Sequence, residues 1–183
     1  MKKILNKNKK GYLIWLTGVS GSGKSTIAKK IINKLEKEIG PTLLINGDDI
    51  RKIFKLNSFD YKSRKETAYK YSELSSFITR QGINVIFATV SMFHSVRKQN
   101  RKKIKKNYVE IFIKSPIKKI IDNRKKKIYF SNKKIVGKDI KAEFPKNPDI
   151  VVFNDFSKSL DEISATITKK ILDKLKKWKK ITV

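Results

Sequence analysis

The amino-acid sequence predicts an α/β fold: one domain built on a five-stranded parallel sheet with helices on both faces. Three observations predict it. Five short apolar runs are separated by longer amphipathic stretches. The runs are rich in Ile, Val, Leu and aromatics, as strands buried on both faces require. The strand-then-helix order holds from end to end, and parallel pairing needs that order for its crossovers.

Taken along the chain, the runs are Tyr12–Thr17, Thr42–Asn46, Asn84–Val90, Tyr108–Ile113 and Asp149–Phe153, each bounded by turn or polar residues. After the first, Ile27, Ile31, Ile32 and Leu35 mark one face of a helix, and after the second, Leu74, Phe77 and Ile78 mark another. Ser115-Pro116 reads as a helix start, with Ser as N-cap and Pro at the first helical position. The last helix is the clearest. Leu160, Ile163, Ile167, Ile171, Leu175 and Trp178 recur at helical spacing, and Ser159 with Glu162 fits a capping box. The basic segment Met1–Lys10 is expected to be flexible. Lys125–Pro148, polar and broken by Gly137, Pro145 and Pro148, reads as a lid or a plain loop. The whole of 1–183 is expected to form one domain.

Composition removes several classes of function. The absence of Cys excludes disulfides, thiolate metal sites and a Cys nucleophile, and a single His leaves little for zinc. No apolar run approaches the roughly 20 residues of a membrane-spanning helix, and the N-terminus lacks a signal peptide's apolar stretch. The expectation is therefore a soluble, cytoplasmic protein with no membrane partner. A net charge of +29 raises nucleic acid as a partner. Yet Lys runs through the whole chain beside many Ile and Asn, while Arg occurs only at 51, 64, 80, 97, 101 and 124. That pattern fits A/T-rich coding bias and general anion attraction better than a dedicated nucleic-acid face.

The strongest chemical signal follows the first strand: Gly18-Val19-Ser20-Gly21-Ser22-Gly23-Lys24-Ser25, then Thr26 and the first helix. Such a strand–loop–helix is a phosphate cradle. Its glycines let successive N–H groups turn inward around phosphate oxygens, and the helix adds its positive end. Gly18, Ser20, Gly21, Ser22, Gly23, Lys24, Ser25 and Thr26 are thus the candidate ATP-binding residues. Lys24 would reach the β- and γ-phosphates, and the Ser25 hydroxyl would ligate Mg²⁺. At the end of the second strand stands Asn46-Gly47-Asp48-Asp49-Ile50-Arg51. Ligands bind at the carboxyl ends of parallel strands, which puts these groups beside the phosphates. Asp48 is the candidate to orient a metal-bound water or to accept the proton of an acceptor hydroxyl. The competing reading is that both aspartates simply make the turn and cap a helix. Asn-Lys-x-Asp and Asp-x-x-Gly, which a guanine-nucleotide switch would carry, are both missing.

Trp15 to Thr26, then Gly47-Asp48-Asp49-Ile50-Arg51, Phe59 with Arg64-Lys65-Glu66, and Val90-Ser91-Met92-Phe93 resemble the adenylylsulfate kinase family of P-loop kinases in order and spacing. The resemblance covers most of the chain. It implies a five-stranded P-loop kinase fold, ATP and Mg²⁺ as cofactors, and transfer of phosphate to the 3′-hydroxyl of adenylylsulfate in sulfate assimilation. It further implies that Lys24 and Asp48 are catalytic, with Ser25 and Asp48 at the metal. Arg51 and Arg64 would hold the acceptor's anionic part, and Arg124 would lie by the ATP adenine. Ser91 matches the serine that the family carries as a phosphorylated intermediate. In-line transfer between aligned substrates needs no covalent step, so a hydrogen bond to substrate stands beside that role. Phe59, Phe93 and Phe144 are candidates to stack on a flat base, or to pack at a core edge.

The rarity of Arg points to the same residues, because Lys cannot replace a bidentate or stacked guanidinium. Arg80, Arg97 and Arg101 read as solvated or salt-bridged, and His94 as a surface or core residue or an aid to an anionic acceptor. Departures from the family concentrate on the acceptor side. Where the family reads Asp-Arg-x-Glu-Asn-Ile-Arg-Arg, this chain has Ser63-Arg64-Lys65-Glu66-Thr67-Ala68-Tyr69-Lys70, and Met92 and His94 replace a Pro and an Arg. Adenylylsulfate is the first expectation for the acceptor. Another nucleotide-linked hydroxyl, for instance in surface-polysaccharide precursor metabolism, is the alternative, and a nucleic-acid-binding P-loop protein is a third reading. The partners expected are ATP and a small anionic nucleotide-like substrate, with homodimerisation left open.

Overall fold

A computed structural model of the protein describes residues 10–124 and 135–180, with the side chains of 123, 124, 179 and 180 outside that description. Five strands form one parallel sheet: β1 (Leu13–Thr17), β2 (Thr42–Asn46), β3 (Asn84–Thr89), β4 (Tyr108–Lys114) and β5 (Ile150–Phe153), in the order β2-β3-β1-β4-β5. Six helices connect and cover them: α1 (Lys24–Ile39), α2 (Gly47–Ile53), α3 (Tyr61–Arg80), α4 (His94–Ile104), α5 (Ile117–Arg124) and α6 (Leu160–Lys180). The chain leaves β1 toward β2 on one side and later returns to β4 on the other, so the sheet changes winding direction beside β1. A doubly wound sheet opens its ligand crevice there.

Register explains what gathers at that crevice. Thr17 stands opposite Thr89, and Asn46 opposite Ala88. The segments that follow β1, β2 and β3 therefore leave the sheet along one edge. They begin with Gly18, Gly47 and Val90.

Both faces are packed. Ile14, Leu16, Ile86, Ile111 and Val152 pack with Ile27, Ile31 and Leu35 of α1 and with Ile163, Ile167, Ile171 and Leu175 of α6. The expected capping box starts α6: the Ser159 N–H donates to Glu162 Oε2 at 2.8 Å, and the Glu162 N–H to Ser159 Oγ at 3.2 Å. On the other face, Trp15, Val85, Phe87 and Tyr108 pack with Ala68 and Tyr71 of α3 and Val96 and Ile104 of α4.

The α3 face differs from expectation. Phe77 is 56% exposed, and Leu74 and Ile78 are half-buried. The buried stripe is instead Thr67, Ala68, Tyr71, Ser72, Ser75, Ser76 and Thr79. Small hydroxyl residues can face the core because their hydroxyls bond back into the helix, Ser75 Oγ to the Tyr71 carbonyl at 2.8 Å and Thr79 Oγ1 to that of Ser75 at 2.9 Å. Ser115 likewise departs from its expected role. Its Oγ is buried with no partner, so it makes no cap bond, and α5 begins at Ile117 with the Ile120 N–H donating to the Pro116 carbonyl.

The inner face of α4 carries Arg97 and Asn100 between Val96 and Ile104. Arg97 Nε meets Glu110 Oε1 at 3.1 Å with both side chains about 5% exposed, and Arg101 bridges Glu110 and Asp149 at 3.1 and 3.3 Å. Burial acts on both partners of the pair, pushing the Glu110 carboxyl up and the Arg97 guanidinium down, with their mutual attraction opposing it. Removing one partner leaves an uncompensated buried charge. Glu110→Ala is therefore expected to lower unfolding stability by about 3–5 kcal/mol in urea titration; a loss below about 1 kcal/mol would mean that Arg97 finds water instead.

Candidate active site

The loop from Gly18 to Gly23 joins β1 to α1. Gly23 occupies the left-handed region, φ 95°, where a side chain would be strained, and it caps α1 with no side-chain cap bond. The first turn of α1 thus opens its amides toward the loop. Lys24 is buried, and its Nζ donates to the Val19 carbonyl at 2.7 Å and to Ser22 Oγ at 3.4 Å. Asn154, just past β5, donates from Nδ2 to the Ser22 carbonyl at 3.0 Å, bracing the loop from the opposite side. Sequence reasoning missed Asn154, since a lone Asn after a strand reads as turn chemistry.

Two cavities meet above this edge. One is lined by Ser20, Gly21, Gly23, Lys24, Ser25, Thr26 and Asp48 with the end of β3. Gly18 and Ser22 form the frame of the loop rather than the cavity's lining. The second is lined by Asp48, Arg51, Phe59, Arg64, Thr67, Ala68, Tyr71, Ser91 and Phe93, with Ile135 and Val136 also against it. Ser20, Asp48, Thr89 and Val90 border both. A carboxylate at the junction of a phosphate cradle and a second compartment can act on whatever crosses between them.

α2 carries that carboxylate. Its first turn holds Asp48 and Asp49, where acidic groups favour the positive helix end. Asp49 is engaged locally, accepting from Asn46 Nδ2 at 3.0 Å. Arg51 and Arg64 lie over the Phe59 ring, their guanidinium carbons 4.3 and 5.0 Å from its centroid. Burial first, and the nearby Arg51 charge second, push the Arg64 guanidinium down from its ordinary value, while Asp48 opposes the shift. Arg51 Nε and Ser91 Oγ are buried polar atoms without a partner, and both residues line the second cavity. Unpaired buried donors are costly, so they mark where a polar ligand would bond.

Phe93 is buried against the Tyr61 ring, 5.4 Å between centroids and edge-on. Phe144 lies elsewhere. It is 49% exposed, 5.8 Å from the Phe112 ring, and lines a separate apolar hollow with Val19, Pro116 and Phe153. In its place Ile135 and Val136 reach the second cavity. They are held by a tight turn in which Asp139 Oδ2 accepts the Ile135 N–H at 2.9 Å and the Gly137 N–H donates to the Ile140 carbonyl. Within the expected lid 125–148, residues 125–134 lie outside the described residues, as do 1–9 of the N-terminal segment and the Arg124 side chain. His94, exposed at the start of α4, accepts from Arg97 Nη2 at 2.7 Å and stands outside the second cavity's lining.

Among the described residues no cluster of three or more His, Asp or Glu side chains could hold a metal by itself. Ser25 and Asp48 line the same cavity as Lys24, and oxygen ligands of the kind they carry, added to nucleotide phosphates, suit Mg²⁺. No described helix is long and apolar enough to cross a membrane.

Comparison with known proteins agrees with this geometry. Residues 10–153 match the family model for adenylylsulphate kinase. A cytidine diphosphoramidate kinase from Campylobacter jejuni is 36% identical over 165 residues, covering 87% of this chain and 96% of that protein. An adenylyl-sulfate kinase from Clostridium kluyveri is 34% identical over 178 residues, covering 94% and 86%. The APS kinase of Mycobacterium tuberculosis, solved with AMPPNP and APS, superposes with a TM-score of 0.78 at 25% identity, covering 89% of this chain and 98% of that one. The phosphate cradle, the five-stranded parallel sheet and these relatives agree: the chain belongs to the adenylylsulfate kinase family and is an ATP-dependent small-molecule kinase.

Proposed function

We propose that the chain transfers the γ-phosphoryl group of Mg·ATP to a hydroxyl of an anionic, nucleotide-linked acceptor, with cytidine diphosphoramidate as the preferred acceptor. The observation that carries the reaction is the position of Asp48 on the border of both cavities. Lys24 and the loop amides hold the donor phosphates, and Ser25 with Asp48 would hold Mg²⁺, which supplies charge neutralisation when bound. The acceptor lies between the Phe59 ring and Phe93, its anionic group on Arg51 and Arg64, and its hydroxyl within reach of Asp48 and Ser91. Asp48 takes the hydroxyl proton as the oxygen bonds to phosphorus and the bond to ADP breaks. We place the reaction in the cytoplasm, where ATP is available.

The extent of similarity to the Campylobacter enzyme favours the cytidine compound, and the wall of α3, where Thr67 and Ala68 line the cavity in place of the family's Asn and Ile, favours an acceptor other than adenylylsulfate. Adenylylsulfate is the second reading, favoured by the family model and by the Clostridium relative. An ADP-release assay decides between them. The expected result is a kcat/KM for cytidine diphosphoramidate at least about tenfold above that for adenylylsulfate. The reverse ranking moves the chain to sulfate activation, and turnover on neither overturns the acceptor assignment. Arg64→Lys removes the planar fork while keeping the charge. It is expected to raise the acceptor KM about tenfold with the KM for ATP unchanged.

A further inference from the structure

Asp48 and Arg51 sit on a helix of only seven residues whose N-cap, Asn46, makes no side-chain cap bond. Such a short helix has little stability of its own, yet it must hold a carboxylate and a guanidinium in fixed relation to the phosphate cradle. One group reaches it from α3. The Tyr71 hydroxyl donates to the carbonyl of Gly47, the first residue of α2, at 2.8 Å, and this bond is buried.

The surroundings keep Tyr71 in one place. Its ring packs on Phe87 with centroids 4.9 Å apart, and the residue is 4% exposed. Burial pushes its phenol up to about 12, so it stays a neutral donor throughout the working pH range. Gly47 sits close against Thr89 and Tyr71. A Cβ there would lie 3.0 Å from Thr89 Oγ1 and 3.3 Å from Tyr71 Cε2, tight enough that a larger residue would press on both side chains. Tyr71 also lines the acceptor cavity beside Asp48 and Arg51.

We infer that Tyr71 is a positioning residue for phosphoryl transfer: its hydroxyl tethers the first turn of α2 and thereby fixes the Asp48 carboxylate and the Arg51 guanidinium against donor and acceptor. The inference rests on the reaction assigned above to the Asp48 junction. A displacement of about 1 Å at a reacting group can cost about a hundredfold in rate, so a tether without chemistry of its own still controls turnover.

The test is Tyr71→Phe in the full chain, which removes the hydroxyl and keeps the ring. Turnover on the best acceptor is expected to fall about tenfold in kcat/KM, with the KM for ATP within about twofold of the parent. Amide hydrogen exchange across 50–54 is expected to accelerate, because the α2 turn is released, while α1 and α6 keep their protection. Unchanged kcat/KM with unchanged α2 exchange overturns the inference. So does a uniform acceleration of exchange across the whole sheet, which would make Tyr71 a core residue only. If the parent protein phosphorylates none of the acceptors tried, the functional reading fails by itself. The exchange measurement still decides whether the hydroxyl anchors α2.

Discussion

Lys24→Ala is expected to abolish phosphoryl transfer, lowering kcat by about a thousandfold or more, while the protein still folds. The Lys24 side chain rises from the first turn of α1 into the loop, and its Nζ lies within hydrogen-bond distance of the Val19 carbonyl and Ser22 Oγ. It is the cationic side chain among those lining the first cavity. Charge develops on the γ-phosphoryl oxygens and the leaving ADP in the transition state, and a fixed ammonium there is worth more than in water because the surroundings are less polarisable. Alanine is well suited to a helix's first turn, and the apolar packing of Ile27, Ile31 and Leu35 does not depend on the ammonium. The thermal midpoint should therefore move by only a few degrees, about what the loss of the bonds to Val19 and Ser22 implies. Retained turnover with an intact fold would mean that the phosphates lie elsewhere.

What the sequence made legible follows from how locally each feature is encoded. The five strands were readable because each is mostly apolar, and the inner strands β1 and β3 are buried at every position. The edge strands β2 and β5 are partly exposed, with Leu43, Val151 and Phe153 facing solvent, because no neighbouring strand covers their outer side. Helix α6 was readable because its core face is aliphatic at regular spacing and its start is a capping box. α4 was not, since its inner face holds Arg97 and Asn100, and an ion pair with Glu110 on β4 does what apolar packing does elsewhere. The buried face of α3 differs from the apolar one because a hydropathy pattern scores Ser and Thr as polar and cannot register that their hydroxyls bond back into the helix. The phosphate cradle is contiguous and therefore plain in sequence. The second cavity is assembled from α2, the segment before α3, α3 itself, the end of β3 and a turn near 135, and only the fold says which residues of each line it. Phe144 was the natural choice for a stacking residue, but the turn from Ile135 to Ile140 delivers two aliphatic side chains to that cavity instead.

Asp48→Asn is expected to leave ATP affinity nearly intact and to cut kcat by about 10²- to 10⁴-fold, the range for loss of a positioned proton acceptor. The amide keeps the shape and the hydrogen-bonding reach of the carboxylate but cannot take a proton or bind a metal ion as firmly. Asp49 supplies the control. It shares the first turn of α2 but accepts a bond from Asn46, so Asp49→Asn is expected to keep turnover within about threefold. Varying Mg²⁺ separates the two roles of Asp48. If the carboxylate chiefly holds the metal, raising Mg²⁺ should restore much of the lost rate, because mass action replaces affinity. If it accepts the proton, the loss should persist at saturating Mg²⁺. The remaining alternative is that both aspartates merely favour the positive end of α2. In that case both substitutions should leave turnover alone and cost similar stability, about 0.3–1 kcal/mol each, and the junction of the two cavities would not be where the chemistry happens.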